Sequence, residues 1–440
     1  MNRKVSLVLS VCGLCVAANA AVEILSPENG ATVALLPEAQ KKILAIASFD
    51  ERLAVLKADL DKPDEERYFG KDREAKWRVS EPLRLKWRTT DGESGPCLIK
   101  LGTSPDLADA TEIWLNPKEA AKMELSKDSQ SSEKTDGKTR IFTYELPYAN
   151  LELGRTYYWK LWCDAKCPRY SHGATIKEKC PCGKGRLATP SETASFTTED
   201  QPPRWIRLEG RVKNVRDLGG WKTTDGKRVK QGMVFRGGGL DDGSASGEKP
   251  GRNRLMVEDI AYMKDVLGIK TDLDLRTKRE LGTRTTSPLG DGVALVSRPF
   301  PAYEGLFVAE GFNKDLCPDF KEAVAFVFRQ FCDKANYPIY FHCAGGADRT
   351  GSLAFILNGV LGVSEHDLDV DWESTFYPGL PQTIGMQFKK DAWRHEAHFR
   401  NGFNAYGDAD TPIRRLIELY LLDCGVTQEE IDRFRSIMLE

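Results

Sequence analysis

Ten consecutive residues, His342-Cys343-Ala344-Gly345-Gly346-Ala347-Asp348-Arg349-Thr350-Gly351, constrain this 440-residue chain more than any other segment. Tyr337 to Phe341 before them is an apolar run of strand length, and Ser352 to Leu361 after them carries the apolar pattern of a helix. The segment therefore reads as a loop from a buried strand into a helix N-terminus. Unpaired N–H groups and a positive dipole end at such a junction bind an oxyanion and favour a thiolate over a thiol.

Each residue type in the loop has a chemical reason to be there. Cys343 is the candidate nucleophile, attacking phosphorus to give a phosphocysteine that water then hydrolyses. Arg349 presents a planar, permanently charged fork to phosphate oxygens, where transition-state charge accumulates. Gly345 and Gly346 let backbone amides turn toward an anion, so phosphate binding is expected from Ala344, Gly345, Gly346 and Ala347 together with Arg349. Thr350 is placed to donate its hydroxyl to the Cys343 sulfur, and His342 to orient the loop by hydrogen bonds.

Three further segments lie upstream: Asn214 to Gly220 (Asn-Val-Arg-Asp-Leu-Gly-Gly), Gly232 to Gly237 (Gly-Met-Val-Phe-Arg-Gly), and Asp274 to Thr277 (Asp-Leu-Arg-Thr) with Glu280. In order and spacing the four segments resemble the bacterial protein tyrosine phosphatases whose catalytic loop reads His-Cys-x-x-Gly-x-Asp-Arg-Thr-Gly. The resemblance covers residues 205–440 and implies a cysteine-dependent phosphoric monoester hydrolase that uses neither metal nor cofactor. It also implies that Asp348 is the general acid, with Asp315 and Asp319 as second candidates on a separate loop. His342, Asp274, Arg276, Asn214 and Asp217 are expected to support the site. For Asp274 and Arg276 a scaffold role holding the loop arginine stands beside substrate contact; for Asn214 to Gly220, a plain turn stands beside catalysis.

Substrate preference follows from a departure. Relatives acting on phosphoinositides often carry lysine inside the loop, whereas Ala344 and Ala347 occupy the variable positions here. The expectation is phosphotyrosine or a similar monoester. The alternatives are an inositol phosphate (phytase-like) or phosphoinositide phosphatase, with Arg276, Lys278, Arg279 or Arg284 lining the mouth, and a non-catalytic phosphate- or glycan-binding adhesion protein.

The chain begins with Arg3 and Lys4, an apolar run from Val5 to Ala17, and Ala18-Asn19-Ala20, the pattern of a signal peptide over residues 1–20. Export to a periplasm or beyond is expected, without a membrane span, since no other apolar stretch is long enough. Cys163, Cys167, Cys180 and Cys182 have spacings that suit two disulfides or a zinc ion, and export favours disulfides. Cys317 and Cys332 read as core cysteines, with a reversible disulfide to Cys343 as the alternative. His395 and His398 read as part of a solvated helix face. A formal net charge of -2 and the lack of a basic block argue against nucleic acid.

Residues 21–76 form a helical adaptor in this reading, with a stripe through Leu44, Ala47, Leu53, Val55 and Leu56. Residues 77–200 show period-two segments, at Leu83–Arg88, Cys97–Leu101, Ile141–Glu145, Thr156–Trp162 and Ala194–Thr198. With Leu151-Glu-Leu-Gly-Arg-Thr-Tyr157, they resemble a fibronectin type III β-sandwich, which implies a protein or glycan partner or a spacer. The expected architecture is multidomain: this sandwich, then an α/β three-layer phosphatase domain with strands near 233–236, 270–275, 293–298 and 338–341, and helices at 256–267, 320–332, 349–361, 367–376, 411–422 and 428–439.

Overall fold

The computed structural model describes residues 22–63, 66, 80–89, 97–115, 140–146, 150–163, 190–308, 317–376 and 401–440. The expected leader (1–20), Cys167, Cys180, Cys182, Asp315, His395 and His398 lie outside them, as does the Cys163 side chain. No helix among the described residues is long and apolar enough to cross a membrane.

The chain divides into two compact units. The first is built on antiparallel pairs among β1 (Val22–Ser26), β3 (Arg84–Thr89), β4 (Cys97–Gly102), β5 (Thr111–Leu115), β6 (Arg140–Glu145), β7 (Thr156–Cys163) and β8 (Ala194–Thr198), with β2 (Ala31–Val33) at the unit boundary. One sheet runs β1-β3-β6 and the other β2-β8-β7-β4-β5. Period two puts Leu85 and Trp87 of β3, Trp159 and Leu161 of β7, and Phe196 of β8 almost fully out of water. Two parts of this unit depart from the expected layout. β1 and β2 come from the stretch read as helical adaptor, and β5 carries no expectation; strands of three to five residues are too short for a clear alternation.

The second unit carries the loop. Its five-stranded sheet runs β12-β11-β13-β10-β9, from β9 (Arg216–Asp217), β10 (Val234–Gly237), β11 (Thr271–Asp274), β12 (Ala294–Ser297) and β13 (Ile339–His342), with only the β9 pairing antiparallel. Every residue of β10, β11 and β13 is buried, as parallel strands covered on both faces require. Alternate residues serve different layers: Ile339 and Phe341 join the large core, while Tyr340 joins the core on the opposite face.

Helices cover both faces. Those of this unit are α1 (Glu38–Leu44), α2 (Phe49–Leu60), α3 (Val257–Ala261), α4 (Lys278–Leu281), α5 (Phe320–Gln330), α6 (Asp348–Leu361), α7 (Glu365–Glu373), α8 (Ile413–Asp423) and α9 (Gln428–Met438). The helix expected at 256–267 changes to a π-turn at Tyr262–Val266, and α4 is a helix that pattern reasoning missed. Within the stretch read as a helical adaptor, Leu36, Ile43, Leu44 and Leu56 of the α1–α2 region share the large core with α6 and α7, and residues 32–83 cluster with 198–440.

Candidate active site

Strand register places the site. Gly237, His342 and Asp274 lie abreast at the carboxyl ends of β10, β13 and β11, and Cys343 is the next residue beyond them. It is only 1% exposed and begins the turn into α6, so any anion it meets also meets that helix's N-terminal amides. The buried His342 beside it bonds Asp272 through Nε2 at 2.9 Å, and its Nδ1 lies 3.2 Å from the Cys343 carbonyl. Burial alone would lower the His342 pKa, but Asp274 and Asp272 outweigh it and lift it to about 9. A protonated imidazole thus donates to the loop backbone.

The two glycines differ. Gly346 has φ +74°, and a Cβ there would lie 2.6 Å from the Gly238 nitrogen, so only glycine lets the loop pass the end of β10. A Cβ at Gly345 would meet nothing within 4 Å. Its smallness answers to no neighbour among the described residues and leaves room on that side of the loop.

Arg349 lies on the first turn of α6 and forks onto Glu280 at 2.7 and 2.9 Å. This bond uses one hydrogen on each terminal nitrogen and leaves Nε–H and the other edge for an oxyanion. Glu280 is fixed in turn by its capping box with Thr277 at the start of α4. Burial works against the Glu280 charge, yet the Arg349 bonds prevail and hold its pKa near about 2. The spacing of Glu280 after the Asp-Leu-Arg-Thr segment was visible in the sequence, but its partner was not.

Asp348 accepts a hydrogen bond from the Tyr303 hydroxyl and is partly exposed, as an acid that must reach a leaving group needs to be. Asp319 instead pairs with Arg298 and accepts from the Cys317 thiol. The buried Thr350 hydroxyl has no hydrogen-bond partner among the described residues, the Cys343 sulfur included. Ala344 is exposed; its carbonyl accepts from Arg254 at 3.0 Å and from the Gly239 amide at 3.1 Å. Ala347 is buried and precedes α6.

Asp274 and Arg276 pair with each other, whereas the loop arginine they were expected to hold is gripped by Glu280. Arg276 is buried between Asp274, at 2.7 Å, and Asp241, at 2.5 Å, and Arg284 also bonds Asp241. Neither arginine is therefore a loose cation at the mouth, whereas Lys278 and Arg279 are exposed. Asp217 accepts from Arg204, Gly219 and Gly232 and ties the turn after β9 to the start of β10.

Asn214 does reach the loop. It holds φ +60° and donates to the Gly346 carbonyl at 2.8 Å. Around it is a cluster that sequence reasoning missed. Asp371 of α7 accepts from Arg216 at 2.8 Å and Arg236 at 2.6 Å; Arg236 also donates to the Gly346 carbonyl, and Arg216 to Asn214. Burial raises the Asp371 pKa, but the two guanidiniums outweigh it and keep the carboxylate charged. Arg216 and Arg236 sat inside the quoted motifs, but nothing near Asp371 in sequence marked it.

Cys317, Cys332 and Cys424 are buried free thiols, and burial is the main cause that pushes each to about 12. Cys332 donates to backbone carbonyls of Phe328 and Glu430, so it is a core residue.

Among solved structures, the core catalytic domain of the PP-IP phosphatase SIW14 from S. cerevisiae, in complex with citrate, matches 40% of this chain and 95% of that one at 16% identity and a TM-score of 0.21. A second structure, the Siw14 catalytic core, matches 42% and 90% at 14% identity with the same TM-score. A Cupriavidus necator protein carrying the name "Putative tyrosine-protein phosphatase" is 27% identical over 189 residues, which are 38% of this chain and 64% of that protein's length. The match thus spans less than two thirds of this relative. The model of the Tyrosine phosphatase family matches residues 206–440, more than half of the chain, and the chain belongs to that family.

Proposed function

We propose that this protein is a cysteine-dependent phosphatase that hydrolyses phosphotyrosine or a similar aryl monoester. The observation that carries the reading is Cys343 at the base of a glycine loop, with Arg349 clamped by Glu280 at the N-terminus of α6. In the first step the Cys343 thiolate forms an S–P bond while the ester P–O bond breaks, and Asp348 delivers a proton to the departing oxygen. In the second, Asp348 takes a proton from water, the new P–O bond forms, and the S–P bond breaks. Thr350, with its hydroxyl uncommitted, then donates to the leaving thiolate. Arg349 and the loop amides hold the equatorial oxygens throughout.

A loop without lysine, together with a buried Arg276 and a half-buried Arg284 that are neutralised by Asp274 and Asp241, supports a phosphate monoester over an inositol polyphosphate. We further infer export, from the leader pattern of residues 1–20. The strand orders β1-β3-β6 and β2-β8-β7-β4-β5 support a fibronectin type III-like sandwich that binds a protein or glycan.

The test is turnover of p-nitrophenyl phosphate, a phosphotyrosine peptide and inositol hexakisphosphate by reduced protein in EDTA. Metal-free hydrolysis of the aryl substrates, abolished by Cys343→Ser, is expected. Preference for the inositol ester would transfer the reading to phytase-like chemistry, and no turnover would make the loop a phosphate-binding module.

A further inference from the structure

The α1–α2 hairpin lies outside residues 206–440, the segment shared with the family, yet it meets the loop's support at two points. At the first, Arg52 of α2, 1% exposed, forks onto Glu373 of α7 at 2.7 and 2.9 Å. Two residues before Glu373 on the same helix is Asp371, which holds Arg236 and through it the Gly346 carbonyl. At the second, Gln40 of α1 accepts from the Trp205 indole at 3.3 Å, and the Trp205 ring lies against the Arg216 guanidinium, 5.4 Å from its centroid.

We propose that the α1–α2 hairpin is a positioning strut for the phosphate loop, with Arg52 as its principal contact. Buried charges admit few geometries, because each must keep its partner. Arg52 also donates to the Ile46 and Ala47 carbonyls, so the turn between α1 and α2 is locked to the same guanidinium that fixes α7. Displacing α7 moves Asp371, and with it the arginine that aims the Gly346 peptide. Arg52 acts through these groups and touches no substrate. This inference rests on the oxyanion-binding part of the function proposed above.

The test uses the full chain with Arg52→Met, Arg52→Lys and Glu373→Gln, and Val55→Thr on the exposed face of α2 as control. Tungstate affinity is measured by calorimetry, well below each variant's own unfolding midpoint, beside kcat and KM on p-nitrophenyl phosphate. Arg52→Met and Glu373→Gln are expected to bind tungstate about tenfold more weakly and to lose kcat, since small misplacements of a binding group are costly. Arg52→Lys keeps the charge without the fork and should fall between them and the parent; it also serves if Arg52→Met does not fold. Unchanged tungstate affinity in the folded variants, whatever their midpoints, would overturn the strut and leave the hairpin a stabilising element. Tungstate binding by a parent protein that hydrolyses nothing would sink the phosphatase reading and still allow the strut to be tested. A parent that binds no tungstate would sink both.

Discussion

Replacing Glu280 by glutamine removes the charge that holds Arg349 while keeping the side chain's shape. Its pKa falls from 4.5 to about 2 in the folded protein. At roughly 1.4 kcal/mol per unit, that shift amounts to about 3 kcal/mol of preference for the charged form. Thr277 contributes part of it, and the Glu280 side chain keeps 32% of its exposure, so solvent screening reduces the share owed to Arg349 to about 1.5 kcal/mol. The fork that aims the guanidinium is therefore worth about tenfold in rate. Glu280→Gln should lower kcat/KM on p-nitrophenyl phosphate by about that factor and weaken tungstate binding alike, because both need the arginine's remaining edge. A depressed folded pKa also means stability present above the unfolded value and lost as pH falls from about 4.5 through about 2. The parent should lose this increment in acid urea titrations, and the variant should lack it. A kcat/KM within twofold of the parent would refute the idea that Glu280 sets Arg349.

Other changes separate the remaining roles. Asp348→Asn should cut kcat on a phosphotyrosine peptide by about 100-fold, and by less on p-nitrophenyl phosphate, whose leaving group departs without a proton. Cys343→Ser should abolish turnover yet still bind tungstate in calorimetry, since the loop amides and Arg349 remain. Gly346→Ala should cost about 3 kcal/mol in urea unfolding, from the positive φ and the collision with Gly238, whereas Gly345→Ala should cost under about 1 kcal/mol. The His342 pKa is raised from 6.5 to about 9, so its contribution of about 3 kcal/mol is complete below pH 6.5 and fades as pH rises through about 9. Unfolding free energies measured across that range should decline in the parent and stay flatter in His342→Asn.

Much of the site could be read before folding because its chemistry is local. Cys343, Gly346 and Arg349 fall within one strand-loop-helix passage, and both flanking elements announce themselves by period. The β10, β11 and β13 strands were legible as short runs, apolar up to His342 in β13 but interrupted by Arg236 in β10 and by Asp272 in β11. Their ends were less so: charged Asp274 and His342 finish strands because each finds a buried partner, which no window of sequence displays.

Thus the sequence by itself determined the candidate nucleophile, the candidate phosphate-binding arginine, the helix that meets them and the alternation of strands and helices, all products of spacing along the chain. Tertiary structure alone decided which charges sit together. Asp371 meets Arg216 and Arg236 from 155 and 135 residues away, and Arg52 meets Glu373 across 321. It also decided that a hairpin with the look of an adaptor packs into the hydrophobic core of the unit that carries the loop. The physical reason is that periodicity states which face of an element is apolar, but a buried charge persists only where another element supplies its opposite, and that choice is made when the elements pack.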